Sequence, residues 1–201
     1  MESVVTHPAL PMPLQWHSVP EGWTITESGA LTIVAGAQTD LFIDPQTAAE
    51  ALNAPRLLAH LTGDFTLSAR VTVDFAATFD AGALVLYTHE RVWAKLCLEY
   101  SPQAAATIVS VVTRGVSDDC NSWPVEGRHA WLRVARLGPA CAFHASADGT
   151  EWQLVRHFAL PSEENPAAGF LAQSPTGSRC SATFDDIHYL PRRLSDLRTG
   201  V

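Results

Sequence analysis

The sequence predicts an all-β protein, a two-sheet antiparallel sandwich with at most one short helix near residues 45–53. Three observations carry this. Apolar residues recur with period two in many short runs, the mark of half-buried strands. Turn residues separate those runs at regular intervals. The 201-residue chain is 47% apolar and only 17% charged, enough to fill one inter-sheet core.

The clearest strand is FTLSARVTVDF, residues 65–75. Phe65, Leu67, Ala69, Val71, Val73 and Phe75 share one face, and Thr66, Ser68, Arg70, Thr72 and Asp74 the other. Noisier runs of this kind are WTITES (23–28), ALTIVAG (30–36), ALVLYTH (83–89), VWAKLCLEY (92–100) and ATIVSVVT (106–113). WLRVAR (131–136), ACAFHAS (140–146), WQLVRHFAL (152–160), AAGFLAQ (167–173) and SATFDDIHYL (181–190) complete them. Ser28-Gly29, Asp148-Gly149 and Pro175-Thr176-Gly177 mark turns, with a tight hairpin expected at Asp148-Gly149. One helix is expected: Asp44 reads as an N-cap, Pro45 as the first helical residue, and Pro55 as its end. RLLAH (56–60) then reads as a further strand. No interdomain linker is read, so residues 1–201 form a single domain: a sandwich over 14–190 and a frayed or loosely docked tail at 191–201.

The net charge of −8 argues against nucleic acid as a partner, because phosphate binding needs a basic field. No run of about 18 apolar residues predicts a membrane span. The N-terminus lacks a signal-peptide pattern, and the four separated cysteines (Cys97, Cys120, Cys141, Cys180) fit reduced thiols, so a cytoplasmic location is expected. Scarce lysine with abundant alanine and arginine fits a GC-rich bacterial genome. No cofactor is expected, and no metal site is assigned. The oligomeric state stays open.

Lys95 is the only lysine in the chain. In its strand, Ala94, Leu96, Leu98 and Tyr100 form the apolar set, so Trp93, Lys95, Cys97 and Glu99 turn away from the core. Lys95 and Glu99 lie about 13 Å apart along a strand, too far for a direct pair. The same parity turns Tyr87, His89, Trp131, Arg133 and His144 outward. If these strands are neighbours in one sheet, that sheet's outer face mixes aromatic rings with charged groups, which suits a sugar or another small polar or anionic ligand.

Alternatives stand beside each reading. Lys95 meets either a ligand or a carboxylate such as Asp118. Glu99 is a candidate acid or base, but the chain lacks an E-x-D-x-E pattern of paired strand carboxylates, so hydrolysis by that route is disfavoured. Asp118, Asp119 and Asn121 in a loop offer calcium ligands or turn chemistry. His89 and His144 bind a ligand or are simply hydrogen-bonded in place. Trp93, Trp123 and Trp131 stack on a sugar or pack. Cys97 beside Lys95 is a reactive thiolate or an inert one.

The ordered motifs WHSVPEGWTITESGALTIVAGAQTDLF, GDF, FDAGALVLY, VWAKLCLEY, VVTRGVSDD, LRVAR, SADGTEW, AGFLAQSP and FDDI resemble a domain-of-unknown-function family. That family includes the yeast "regulation of enolase" protein and belongs to the concanavalin A-like lectin/glucanase superfamily. The resemblance spans roughly residues 14–190 and implies a jelly-roll sandwich. The matching polar positions are Asp40, Asp80, Trp93, Lys95, Glu99, Thr113, Ser117, Asp118, Arg133, Ser146, Asp148 and Gly149. Two departures are Leu41 before Phe42, and Asp119 after Asp118 with Trp123 displaced downstream.

The expected function is a non-catalytic, lectin-like binding module for a sugar or small polar or anionic ligand on the concave sheet face. Its ligand residues are Trp93, Lys95, Glu99, Tyr87, His89, Thr113, Asp118, Trp123, Arg133 and His144. The alternatives are an enzyme on a small sugar or polar metabolite using Glu99, His144 or Lys95, and a protein-interaction domain that regulates a metabolic enzyme.

Overall fold

The computed structural model describes residues 4–161 and 165–201. Two large antiparallel sheets face each other. The first runs, in spatial order, β1 (Val4–Val5), β2 (Leu14–Ser18), β7 (Arg56–Ala59), β16 (Ala167–Gln173), β9 (Ala81–His89), β10 (Val92–Tyr100), β11 (Ala106–Arg114), β12 (Val116–Pro124). The second runs β15 (Gln153–Ala159), β14 (Ala140–Ser146), β13 (His129–Leu137), β8 (Phe65–Val73), β17 (Arg179–Leu190), β4 (Leu31–Gly36), β3 (Gly22–Ile25). A separate hairpin joins β5 (Leu41–Ile43) to β6 (Glu50–Leu52). No helix occurs among the described residues.

Period-two alternation builds the core. Phe65, Leu67, Ala69, Val71 and Val73 of β8 meet Leu84 and Leu86 of β9 and Ala94, Leu96 and Leu98 of β10. Each fully buried leucine contributes about 1.5–3 kcal/mol relative to exposure. The sheets approach closely at Gly82, where a Cβ would lie 2.7 Å from Val71 Cγ1 and 2.8 Å from Ala182 Cβ. Three cysteines are buried, Cys120 is exposed, and all four are free thiols.

Three expectations need correction. The helix at 45–53 is absent, and this stretch turns the β5–β6 hairpin. Asp44 Oδ1 accepts the backbone N–H groups of Gln46 (2.7 Å) and Thr47 (2.8 Å), while Asp44 N–H donates to Ala49 O at 2.9 Å. An Asp-Pro start serves an Asx-type turn as well as a helix cap, and pairing with β5 decides for the turn. The segment SDDCN is no loop; it lies within strand β12, paired with β11. The Asp148-Gly149 turn belongs to a longer loop between β14 and β15, in which Asp148 Oδ1 accepts N–H groups from Thr150 and Glu151.

The segment after β17 docks on the outer face of the second sheet. Leu194 and Leu197, with Leu154, pack against Ala135, Leu137 and Ala142.

Candidate functional site

The outer face of the first sheet is laid out by register. Lys95 sits opposite Val111, and Val111 opposite Asp119. Glu99 sits opposite Ala81, and Ala81 opposite Gln173. The β5–β6 hairpin crosses part of this face and closes over an apolar cluster that includes Leu41, Tyr87, Trp93, Cys97, Val109 and Val111.

Polar contacts fix the hairpin. Ile43 N–H donates to Ser117 Oγ (2.9 Å), which shares a 2.9 Å hydrogen bond with Thr113 Oγ1. Arg56 Nη1 donates to the carbonyls of Leu52 and Ala54, each at 3.1 Å, at the hairpin's base. Arg91 pairs with Glu50 near its tip.

Beside the hairpin a cavity of about 230 Å³ remains, with Lys95, Glu99, Val109, Val111, Asp119 and Gln173 supplied by the sheet. Asp40 and Phe42 come from the start of the hairpin, and Phe79 from the loop before β9. Phe79 has a φ of +70°, an unusual conformation for an aromatic residue, and its ring is exposed at the mouth. Asp80 holds that loop: its Oδ2 accepts N–H groups from Ala76 (2.9 Å) and Ala77 (2.8 Å), and Ser174 Oγ donates to its Oδ1 at 2.7 Å. Gln173 Nε2 donates to Phe79 O at 3.1 Å.

Lys95 anchors the floor. Its Nζ donates to Gln173 Oε1 at 2.7 Å and to Asp40 Oδ1 at 3.1 Å, and the residue is 1% exposed. Burial alone would lower its pKa; the nearby Asp40, Cys97 and Glu99 outweigh this, so the ammonium stays charged above the usual lysine range. Burial pushes Cys97 up to about 12, so it is an unreactive thiol at neutral pH. Glu99 is raised to about 7, chiefly by burial, with Lys95 opposing and Asp40 and Asp119 adding to the shift. Its carboxyl makes no hydrogen bond or ion pair within the described residues, which leaves it open to the cavity.

Of the ten candidate residues, Lys95 and Glu99 meet at this cavity. Trp93, Tyr87 and Thr113 lie on the same face but are buried in its packed part. Trp93 Nε1 donates to Glu90 O at 3.2 Å, and Tyr87 lies under Arg56. His89 is exposed at the end of β9. Asp118 points to the other side of β12, where it pairs with Arg156 at 2.9 Å, so the carboxylate facing Lys95 is Asp40. Trp123 packs against the inter-sheet core. Arg133 and His144 belong to the second sheet, so Glu99, Lys95 and His144 do not converge.

The cavity residues Phe42, Phe79 and Gln173 are not singled out as ligand residues by the sequence, which offers Asp119 only as a calcium ligand or turn residue in a loop. Asp119 becomes visible once β12 is read as a strand, since it then shares a face with Val111 and Lys95. Phe79 opens the FDAGALVLY motif of the family resemblance, but no strand periodicity marks it.

Fold and cavity together define a two-sheet β-sandwich with a small pocket of mixed apolar and charged lining on one outer sheet face. A family model, "Protein of unknown function (DUF1349)", matches residues 16–192, and the chain belongs to that family. No curated protein matches the sequence. A functionally unknown protein from Saccharomyces cerevisiae is similar in structure, with TM-score 0.80, 23% identity, and coverage of 87% of this chain and 94% of that one. The GH43 BlXynB protein from Bacillus licheniformis is similar over 89% of this chain but only 37% of its own, with TM-score 0.69 and 18% identity. The carbohydrate binding module CBM66 from Bacillus subtilis has TM-score 0.55 and 15% identity, covering 87% of this chain and 94% of that one. At these identities the likeness is one of fold.

Proposed function

We propose that the Lys95–Glu99 cavity binds one small neutral carbohydrate or polyol, and that the domain acts as a non-catalytic binding module. The observation that carries this is the pairing of apolar and acidic walls. Val109, Val111, Phe42 and Phe79 offer surface for the C–H face of a sugar ring, while Asp40, Glu99 and Asp119 offer oxygens to its hydroxyls. Three carboxyl groups line the cavity with one ammonium, which is already paired with Asp40, and this disfavours an anionic ligand. The volume of about 230 Å³ suits one ring rather than a chain. The fold likeness to a carbohydrate binding module agrees with this reading.

Calorimetry with a panel of monosaccharides and polyols tests it. One or more should bind, and Asp119→Ala should remove binding without changing the unfolding midpoint. A panel with no binder at millimolar concentration, or full binding by Asp119→Ala, overturns it.

A second reading has its own support in Glu99, an open carboxyl raised to about 7 and thus suited to proton transfer near neutral pH. It requires turnover of a bound sugar, with a pH profile breaking near 7 that disappears in Glu99→Gln. Binding without turnover rejects it.

A further inference from the structure

A second cleft lies on the opposite side of the molecule, between the outer face of the second sheet and the docked C-terminal segment. Its volume is about 550 Å³, within the ordinary range for small-molecule sites. Arg133, Arg192 and Arg193 line it with Trp152, Thr66 and Thr150, and no acidic side chain does. This concentration of arginine occurs in a chain whose net charge is −8.

Arg133 is held in place. Its guanidinium stacks on the Trp152 ring, 3.6 Å from the centroid, and Nη1 donates to Gly200 O. Its Nε is buried and has no partner. A guanidinium carries five N–H donors, so most of this fork is unused by the protein. Burial lowers its pKa to about 10; the Val201 carboxylate also lines the cleft but forms no ion pair with Arg133. Arg192 and Arg193 are exposed and form no ion pair within the described residues.

We infer that this cleft binds a small molecule carrying a tetrahedral oxyanion group, a phosphate or sulfate ester. Arg133 is the preorganised fork, the exposed Arg192 and Arg193 the clamps, and the threonine hydroxyls further donors. Planar guanidinium groups match such oxygens in paired hydrogen bonds. A partly desolvated, unpaired cation is costly alone, and an anion beside it removes that cost.

The test is an NMR titration of ¹⁵N-labelled protein with inorganic phosphate and, separately, inorganic sulfate, at about pH 8 where both are dianions and at ionic strength held constant with sodium chloride. The Trp152 indole and Arg133 Nε–H resonances should shift and saturate with at least one anion. Tighter phosphate binding names a phosphate ester as the ligand class, and tighter sulfate binding a sulfate ester. Arg192→Ala/Arg193→Ala alters only exposed side chains and should weaken binding by about tenfold or more with the unfolding midpoint unchanged. Lys95→Met should leave the titration as it is, which separates this site from the sugar pocket. Shifts that sodium chloride alone reproduces, or unaltered affinity in the double variant, overturn the inference.

Discussion

The two partners of the buried ion pair should differ sharply in how much their loss costs. Lys95 and Asp40 meet at 3.1 Å, but their side chains are 2% and 21% exposed. Asp40→Ala strands a buried ammonium with Gln173 as its remaining hydrogen-bond partner. Removing one partner of a buried pair costs about 3–5 kcal/mol, and the lower end applies here because Gln173 still accepts and Glu99 lies near. Lys95→Met leaves Asp40, which water reaches and which still accepts the Leu41 N–H at 2.7 Å. Its cost should be about 1–2 kcal/mol, and the methionine keeps most of the packing. The double variant should recover about 1 kcal/mol or more relative to Asp40→Ala, since no unpaired charge remains. Urea unfolding measures all three, through midpoints at unchanged slope. Equal losses for the two single variants, or a larger loss for Lys95→Met, would refute the assignment of Lys95 as the dependent partner.

Other outcomes follow from the same physics. Glu99 rises from 4.5 to about 7 on folding, so the native state holds its proton longer and the associated stability is lost as pH rises through about 7. Glu99→Gln should therefore stabilise the protein at pH 8 by about 2–3 kcal/mol and leave it nearly unchanged at pH 4, read by urea midpoints at both. His144 donates Nε2–H to Leu197 O at 2.8 Å, and its pKa is lowered chiefly by burial. The undocked imidazole takes up a proton as pH falls through about 6.5 while the docked one resists. Acid should thus loosen the tail, with faster amide exchange at 194–200 at pH 5.5 than at pH 7.5 after correction for intrinsic rates. At Gly169 a Cβ would fall 2.0 Å from Leu57 O, so Gly169→Ala should cost about 3 kcal/mol in urea unfolding by forcing β7 away from β16.

Much of the pocket's floor was legible. Strand parity on VWAKLCLEY turned Lys95 and Glu99 away from the core, and both line the cavity. The resemblance to a known family supplied Asp40, which proved to be the lysine's partner. Asp119 was hidden because β12 is mostly polar and sits at the sheet edge, where little apolar alternation marks a strand. The hairpin was hidden by ambiguity: Asp44-Pro45 begins a turn as readily as a helix, and only docking against Ser117 and Arg56 distinguishes them.

The sequence by itself determined the all-β class, nearly all the long strands and the inward or outward sense of their residues. A period of two is a local property of the backbone, and a half-buried strand displays it alone; the exposed β12 does not. Which outward residues meet was decided only by tertiary structure. Sheet order joined Lys95 to Asp119 and Gln173, and sent Arg133 and His144 to the other side of the sandwich. Strand neighbours are chosen by contacts between residues far apart in the chain, and no local pattern encodes them.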